Sequence, residues 1–301
     1  MERKVNTIID SAKCIGCGKC VMVCPAETIS MVDGKATITG KASINCGHCE
    51  QVCPVDAVKV TSLTELSFET FDADTNWLPP GKSDTAQLVR LMASRRSCRN
   101  YTNQSVDRSM LEDLVKAGTT APSATNSQGW NFTILPERKD VVAYGNYVVE
   151  FFCKINKLAN NFLIRNTMSF FGKKELKIFH RNYSSFVEKA ISNWYSSEHD
   201  YLFHGAPAVI IIGCSDACSM PMADAQLASQ NIQLAAHSMG LGTCLIGFAV
   251  KAMANDRKIC AKMGAKPNEK YYSVIAMGWP DEKYKHVCNR KAVTPRYPVL
   301  T

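Results

Sequence analysis

The sequence of 301 residues predicts an α+β protein in two folded parts, a small cysteine-dense unit and a larger one of strands and helices. Three observations predict this. Half of the fourteen cysteines (14, 17, 20, 24, 46, 49 and 53) lie in the first 53 residues. That stretch matches itself when shifted by 29 residues, so that Cys17, Cys20, Cys24 and Pro25 fall on Cys46, Cys49, Cys53 and Pro54. Beyond it, helix-period and strand-like runs alternate.

Composition narrows the class. Apolar residues make up 46% and charged residues 21%, which suits a packed globule rather than a disordered chain. The net charge of +8 is modest, and basic residues cluster only at Arg95, Arg96 and Arg99, so no nucleic-acid surface is indicated. No apolar run reaches the roughly 18 residues of a membrane span. "MERKVNTIID" lacks the apolar core of a secretory signal. A cytoplasmic, reducing location follows as the expectation, with free thiols rather than a disulfide framework.

Residues 1–62 form the first unit. Each half reads as a strand, a cysteine loop, a short helix and a second strand, with "KATIT" and "AVKV" as strands and "DG" at 33–34 as a hairpin turn. "CIGCGKCVMVCP" carries the spacing C-x2-C-x2-C-x3-C-P, which wraps a 4Fe-4S cube. Zinc sites use separated cysteine pairs instead. Cys14, Cys17, Cys20 and Cys53 are thus the expected ligands of one cluster. Cys24, Cys46 and Cys49 are those of a second. Ser43 stands at the second cluster's fourth corner. Either its alkoxide binds iron, or another ligand such as water does, or the corner is lost and three irons remain; the serine could also be an introduced substitution. In every case the second cluster is expected to be the more labile. This unit resembles a bacterial two-cluster ferredoxin.

Residues 63–87 read as an acidic linker, with Glu65, Glu69, Asp72, Asp74 and Asp84 against one lysine and the breaker "PPG". Phe68, Phe71, Trp77 and Leu78 suggest that it packs along the larger domain.

Residues 88–301 form the second unit. Leu88, Leu91 and Met92 mark a helix that ends near "SRRSCRNY", and a second runs from Asp107 to Gly118. "TTAPSATNSQGWNFTIL" is a small-residue loop entering a strand. Further strands are expected at 206–213 and 272–279. Between the first two strands, the aromatic-rich residues 137–204 read as amphipathic core helices, with a lid over a flat acceptor as the alternative. A long helix rich in Ala and Ser spans 221–239 and closes at Gly240. "GLGTCLIG" (240–247) is a glycine-rich turn, neither a P-loop nor a dinucleotide fingerprint. His237 reads as a packed, hydrogen-bonded residue, and the remaining cysteines as separate buried thiols.

In order and spacing, "RRSCRNY", "APSATNSQGWNF", "AAHSMGLGTCLIG", "MGWP" and a late Arg resemble the flavin-dependent nitroreductase family. The whole chain thus resembles a ferredoxin–nitroreductase fusion. The resemblance implies an α+β sandwich, with a central mixed sheet flanked by helices, and FMN as cofactor. Arg95, Arg96, Ser97 and Arg99 would hold the phosphate and ribityl end. Ser123 and Asn126 would border the ring, as would Thr243, Ile246 and Gly247. Arg290 and Lys291 would return to the phosphate. Gly129 stands where the family usually has Pro, and Cys98 where Val is common. The family forms homodimers with FMN at the interface, which would make the helix at 221–239 and the C-terminal arm partner-contacting elements.

The implied function is an oxidoreductase passing electrons from reduced ferredoxin or NAD(P)H through the clusters to FMN. The acceptor would be a small nitroaromatic, quinone or similar electron-poor compound. An ene-reductase or reductive dehalogenase on the same fold is an alternative, as is a non-catalytic electron carrier or redox sensor. No catalytic acid is assigned, because water can protonate a nitro or quinone oxygen. Ser43→Cys is expected to raise iron content and change the cluster EPR signal. Unchanged spectra and iron would mean that the serine does not limit the site.

Overall fold

A computed structural model of the chain describes residues 3–300. The N-terminal unit contains β1 (Thr7–Ile9), α1 (Lys19–Met22), β2 (Ile29–Val32), β3 (Lys35–Ile38), α2 (His48–Gln51) and β4 (Val58–Val60). β1 pairs antiparallel with β4, and β2 with β3. The predicted turn is present: Asp33 and Gly34 both have positive φ, which lets the hairpin twist with its strands. Ile29, Ala36, Ala57, Val58 and Val60 form its core with Cys14, Cys20 and Cys49. So small a core leaves much of the unit's stability to whatever the thiols bind.

The linker is anchored at one point. The N–H groups of Glu69 and Thr70 and the Thr70 hydroxyl donate to the buried Asp113 carboxylate, at 2.7–3.1 Å, and Lys116 donates to it at 3.0 Å. Phe68 and Phe71 stack at 4.5 Å. The expected packing of Trp77 and Leu78 is not found; they are 78% and 61% exposed. Packing therefore stops before the breaker. α3 (Thr85–Ser94) begins inside the range read as linker, capped by Asp84, which accepts from Gln87 N at 3.0 Å.

The larger unit continues with α4 (Arg108–Gly118), β5 (Trp130–Leu135), α5 (Arg138–Asn160), α6 (Phe162–Phe170), α7 (Glu175–Asn182) and α8 (Ser184–Ser196). β6 (Ala208–Ser215), α9 (Pro221–Ser238), β7 (Gly242–Leu245), α10 (Gly247–Asn255), α11 (Arg257–Lys262) and β8 (Glu269–Gly278) complete it. The sheet runs β5-β6-β8-β7 with antiparallel neighbours, and parallel pairing enters at a bridge between Ser97 and Thr243.

β6 shows why this is a three-layer sandwich. Ala208, Ile210, Ile212 and Cys214 face α4 and α9, whereas Val209 and Ile211 face α5, α10 and α11. Both faces are covered, so the strand is apolar throughout. Each fully buried Ile contributes about 1.5–3 kcal/mol. The small residues of α9 pack closely against a helix, as expected: Ala225, Ala228, Ile232 and Ala236 press on α4 and the sheet of their own chain, while Met222 and Leu227 remain exposed. No helix among the described residues is long and apolar enough to cross a membrane.

Burial opposes ionisation of Asp113, but the four donors outweigh it and hold its pKa at about 2, below the ordinary 3.8. A carboxyl depressed in this way stabilises the fold fully above pH 4 and loses its contribution as pH falls toward 2. Asp113→Asn should cost about 1–3 kcal/mol at neutral pH, because the amide cannot accept all of these bonds. Urea denaturation measures the cost, and the difference from wild type should shrink below pH 3.

Candidate functional site

Three arrangements carry chemistry: two four-residue sets, one of four thiols and one of three thiols and a serine, an arginine cleft, and the loop that meets the N-terminal unit. Cys14, Cys17, Cys20 and Cys53 surround one cavity. Cys24, Ser43, Cys46 and Cys49 surround a second. The exchange of the fourth cysteine between halves is therefore as the spacing predicts.

The backbone prepares these sulfurs for negative charge. N–H groups of Ala36 and Gly16 lower the Cys14 pKa. Burial works against the Cys24 thiolate, but donors from Thr28 and Ala26 outweigh it. Burial dominates at Cys20 and Cys49, which are raised. The turn that creates the first pocket depends on Gly16. Its φ is +72°, and a Cβ there would lie 2.2 Å from the Gly34 carbonyl oxygen. The equivalent residue in the second half is Asn45, at φ +49°. Asn tolerates this region, and its side chain ties down the N-terminal strand by accepting from Asn6 N and donating to Lys4 O. Ser43 Oγ accepts from Asn45 N at 3.0 Å, so the serine that replaces a thiol braces its own loop.

The arginine cleft lies between the end of α3 and β7. The Ser97–Thr243 bridge and a bond from Cys98 N to Thr243 O (2.9 Å) fix the "RRSCR" turn against β7. Arg95 is lowered first by burial, then by the like charges of Arg96 and Arg290. Among the described residues neither Arg95 nor Arg96 pairs with a carboxylate. Converging guanidinium groups without a counter-charge form an anion site suited to a phosphate dianion. The Arg99 N–H is already taken by Glu282. Thr243 Oγ1 is buried with no hydrogen-bond partner, a polar atom left for a ligand. Ile246 N donates to Val274 O, so in this pair only the Gly247 amide, the first of α10, remains for a ligand. Lys291 is exposed on the C-terminal arm, without a contact that places it in the cleft.

His237 and Tyr284 line the same cleft. Sequence reading missed both. His237, read as packed and hydrogen-bonded, instead faces the arginines, and burial and Arg95 lower its pKa. Its place at the end of the helix leading to "GLGTCLIG" was the available signal. That segment itself is a strand and a helix start rather than a simple turn, because Gly242 must pass within contact of Cys98.

Ser123 and Asn126 lie elsewhere. Their loop is held by Asp224 in the first turn of α9, which accepts from Ala124 N (2.9 Å) and Ser127 Oγ (3.1 Å). Arg95 faces His237 in the last turn of the same helix. At 1.5 Å per residue these points are about 20 Å apart. One chain therefore does not bring Ser123 and Asn126 to the arginines. The loop meets the N-terminal unit instead: Asn126 Nδ2 donates to Ile44 O (3.1 Å) and Asn45 O (3.0 Å), and Arg3 donates to the carbonyls of Thr125 and Asn126.

Residues 92–279 match the sequence model of the Nitroreductase family, and residues 13–57 match a 4Fe-4S dicluster domain. The chain belongs to the nitroreductase family, with a ferredoxin-type iron–sulfur module at its N-terminus. It is 22% identical over 204 residues to a putative NADH dehydrogenase/NAD(P)H nitroreductase of Archaeoglobus fulgidus, covering 65% of this chain and 88% of that protein. It is 58% identical over 31 residues to Ferredoxin-2 of Desulfomicrobium norvegicum, covering 10% of this chain and 52% of that one. A nitroreductase structure from Desulfitobacterium hafniense shares its fold with a TM-score of 0.50 at 19% identity, over 69% of this chain and 97% of that chain. Gly16→Ala, strained in φ and in space, should lower iron per chain sharply while leaving the melting of the larger unit unchanged. An iron assay beside thermal denaturation checks both.

Proposed function

We propose that this chain is an FMN-dependent oxidoreductase that takes in electrons through two iron–sulfur clusters and reduces nitroaromatic, quinone or similar electron-poor acceptors. The observation that carries the reading is the mutual proximity of Arg95, Arg96 and Arg290 beside a cleft that Arg96 lines, with the buried, unpartnered Thr243 hydroxyl on the adjoining strand, in a chain that also presents one four-thiol set and one set of three thiols and a serine. Those residues fit a flavin phosphate and its polar tail. When bound, the clusters supply single electrons and the flavin couples them to two-electron reduction.

The chain's own residues do the rest. Arg95, Arg96 and Arg290 would neutralise the phosphate, and Ser97 and Arg99 would flank it; Lys291 would join them only if the C-terminal arm turned it inward. Thr243 and the Gly247 amide are the polar groups left for the ring, where Ile246 supplies an apolar wall. Phe248, directly after Gly247, packs with Phe152, Tyr183 and Phe186 at ring separations of 5.2–6.3 Å. Such an aromatic wall suits a flat apolar acceptor and excludes water. No side chain is assigned as a catalytic acid.

Ser123 and Asn126, the other candidate ring residues, sit about 20 Å from the arginines. A complete site then needs two chains, each giving its arginines to one flavin and its Ser123 loop to the other. Exposed apolar residues support a homodimer: Leu88, Val89 and Met92 on α3, and Val293, Tyr297, Val299 and Leu300 on the arm. The donor would be reduced ferredoxin or NAD(P)H.

Reoxidation tests the reading. Anaerobic holoprotein reduced with dithionite should be reoxidised within seconds by a nitroarene or quinone. Arg95→Ala should retain flavin roughly tenfold less well, as expected for a lost charge-assisted bond, with iron unchanged. A reduced protein that ignores both acceptors but reacts with halogenated or activated-alkene compounds would overturn the acceptor class.

A further inference from the structure

Of the seven cysteines in the larger unit, two come together with a carboxylate. Cys214 is the next-to-last residue of β6, Cys218 follows in the turn, and Asp224 lies in the first turn of α9. Their two Sγ atoms and a carboxylate oxygen all lie within 4.8 Å of one another. Cys214 and Asp224 are buried, and Cys218 is half-buried. The expectation of separate buried thiols is corrected here. The ligand atoms come from a strand, a turn and a helix, so sequence spacing does not announce them.

Gly129 belongs to this cluster. A Cβ at that position would lie 2.3 Å from Cys218 Sγ and 3.7 Å from Cys214 Sγ. The small residue at a position where proline would be expected leaves room for the two sulfurs. Asp224 is already oriented by Ala124 N and Ser127 Oγ, one on each oxygen, and each oxygen keeps a lone pair free. Such bonds from behind are how ligating carboxylates are commonly held. Burial and the neighbouring Cys218 push the Cys214 thiol up to about 12, so without a cation the Cys214 sulfur keeps its proton.

We propose that Cys214, Cys218 and Asp224 form a site for one thiophilic divalent cation of the zinc class, bound by two thiolates and one carboxylate with water in the fourth position. Binding releases two protons to solvent, one from each thiol, and changes no oxidation state. The site lies apart from the N-terminal cysteine sets, in the larger unit. A cation here would tie the end of β6 to the start of α9, directly beneath the loop that holds the N-terminal unit. The inference is independent of the redox reading.

The test uses full-length protein, purified without oxygen and carrying its iron and flavin, incubated with Zn²⁺ alone and desalted. Elemental mass spectrometry then counts zinc beside iron. Wild type should retain about one zinc per chain, with zinc-edge absorption reporting sulfur neighbours at ~2.3 Å. Cys218→Ala should retain about a tenth or less, with iron unchanged. Cys218→Ser, which keeps the volume and so guards against misfolding, should behave the same way, with unaltered circular dichroism. Background zinc in wild type, equal zinc in the folded variants, or a Cys214–Cys218 disulfide in the anaerobic protein would each overturn the proposal.

Discussion

The structure depends on what holds residues 123–128 in place. Thr125, Asn126 and Gln128 all have φ near +50° without being glycine. Each such residue costs about 1–3 kcal/mol unless its surroundings impose the conformation. Here they impose it from both sides. Asp224 holds the loop from below through two hydrogen bonds, and Trp130 Nε1 donates to the Asp224 carbonyl at 3.0 Å. From above, Arg3 reaches the loop's carbonyls, and Asn126 reaches those of Ile44 and Asn45. The left-handed turns point these groups at the N-terminal unit. Among the described residues, these are the side-chain hydrogen bonds that join the two units.

A second constraint is unspent charge. Structural arginines usually find a carboxylate, as Arg138 finds Asp200. Arg95 and Arg96 find each other and Arg290 instead, an arrangement that repels itself until an anion enters. Glu282, the nearby acid, is turned toward the Arg99 and Asn100 side of the turn and toward Tyr284. The neighbourhood of the phosphate candidates is thus kept positive, at a cost to the empty fold that a bound dianion would offset.

Legibility in the sequence followed the range of the interactions. The cysteine sets were readable because a tight loop fixes three ligands locally and Pro marks the fourth. Gly16 and Asn45 repeat a backbone requirement that close spacing already implies. The strands of the larger unit were readable as apolar runs, and the arginine turn as a charge cluster. What failed needed three dimensions. Trp77 and Leu78 looked like anchors, yet the Asp113 contacts secure the linker well before them. His237 could be placed on a helix, but not on the face toward Arg95. Cys214 and Cys218 became a pair only when Gly129 and Asp224 closed around them. The unusual glycine was the one trace of that cluster in the sequence.

These constraints meet in α9. Its first turn carries Asp224, and through it the loop bound to the N-terminal unit; its last turn carries His237 beside the arginines. Helices are stiff along their axes, so the two ends cannot approach by bending. The module with the cysteine sets therefore stays with the Ser123 end and away from the arginine end of its own chain. In the proposed dimer, that separation assigns each module to the cleft whose arginines belong to the partner. Within one chain the two halves of the proposed site stand about 20 Å apart. If the function is the one proposed, the length of one helix makes association a condition of it rather than an addition to it.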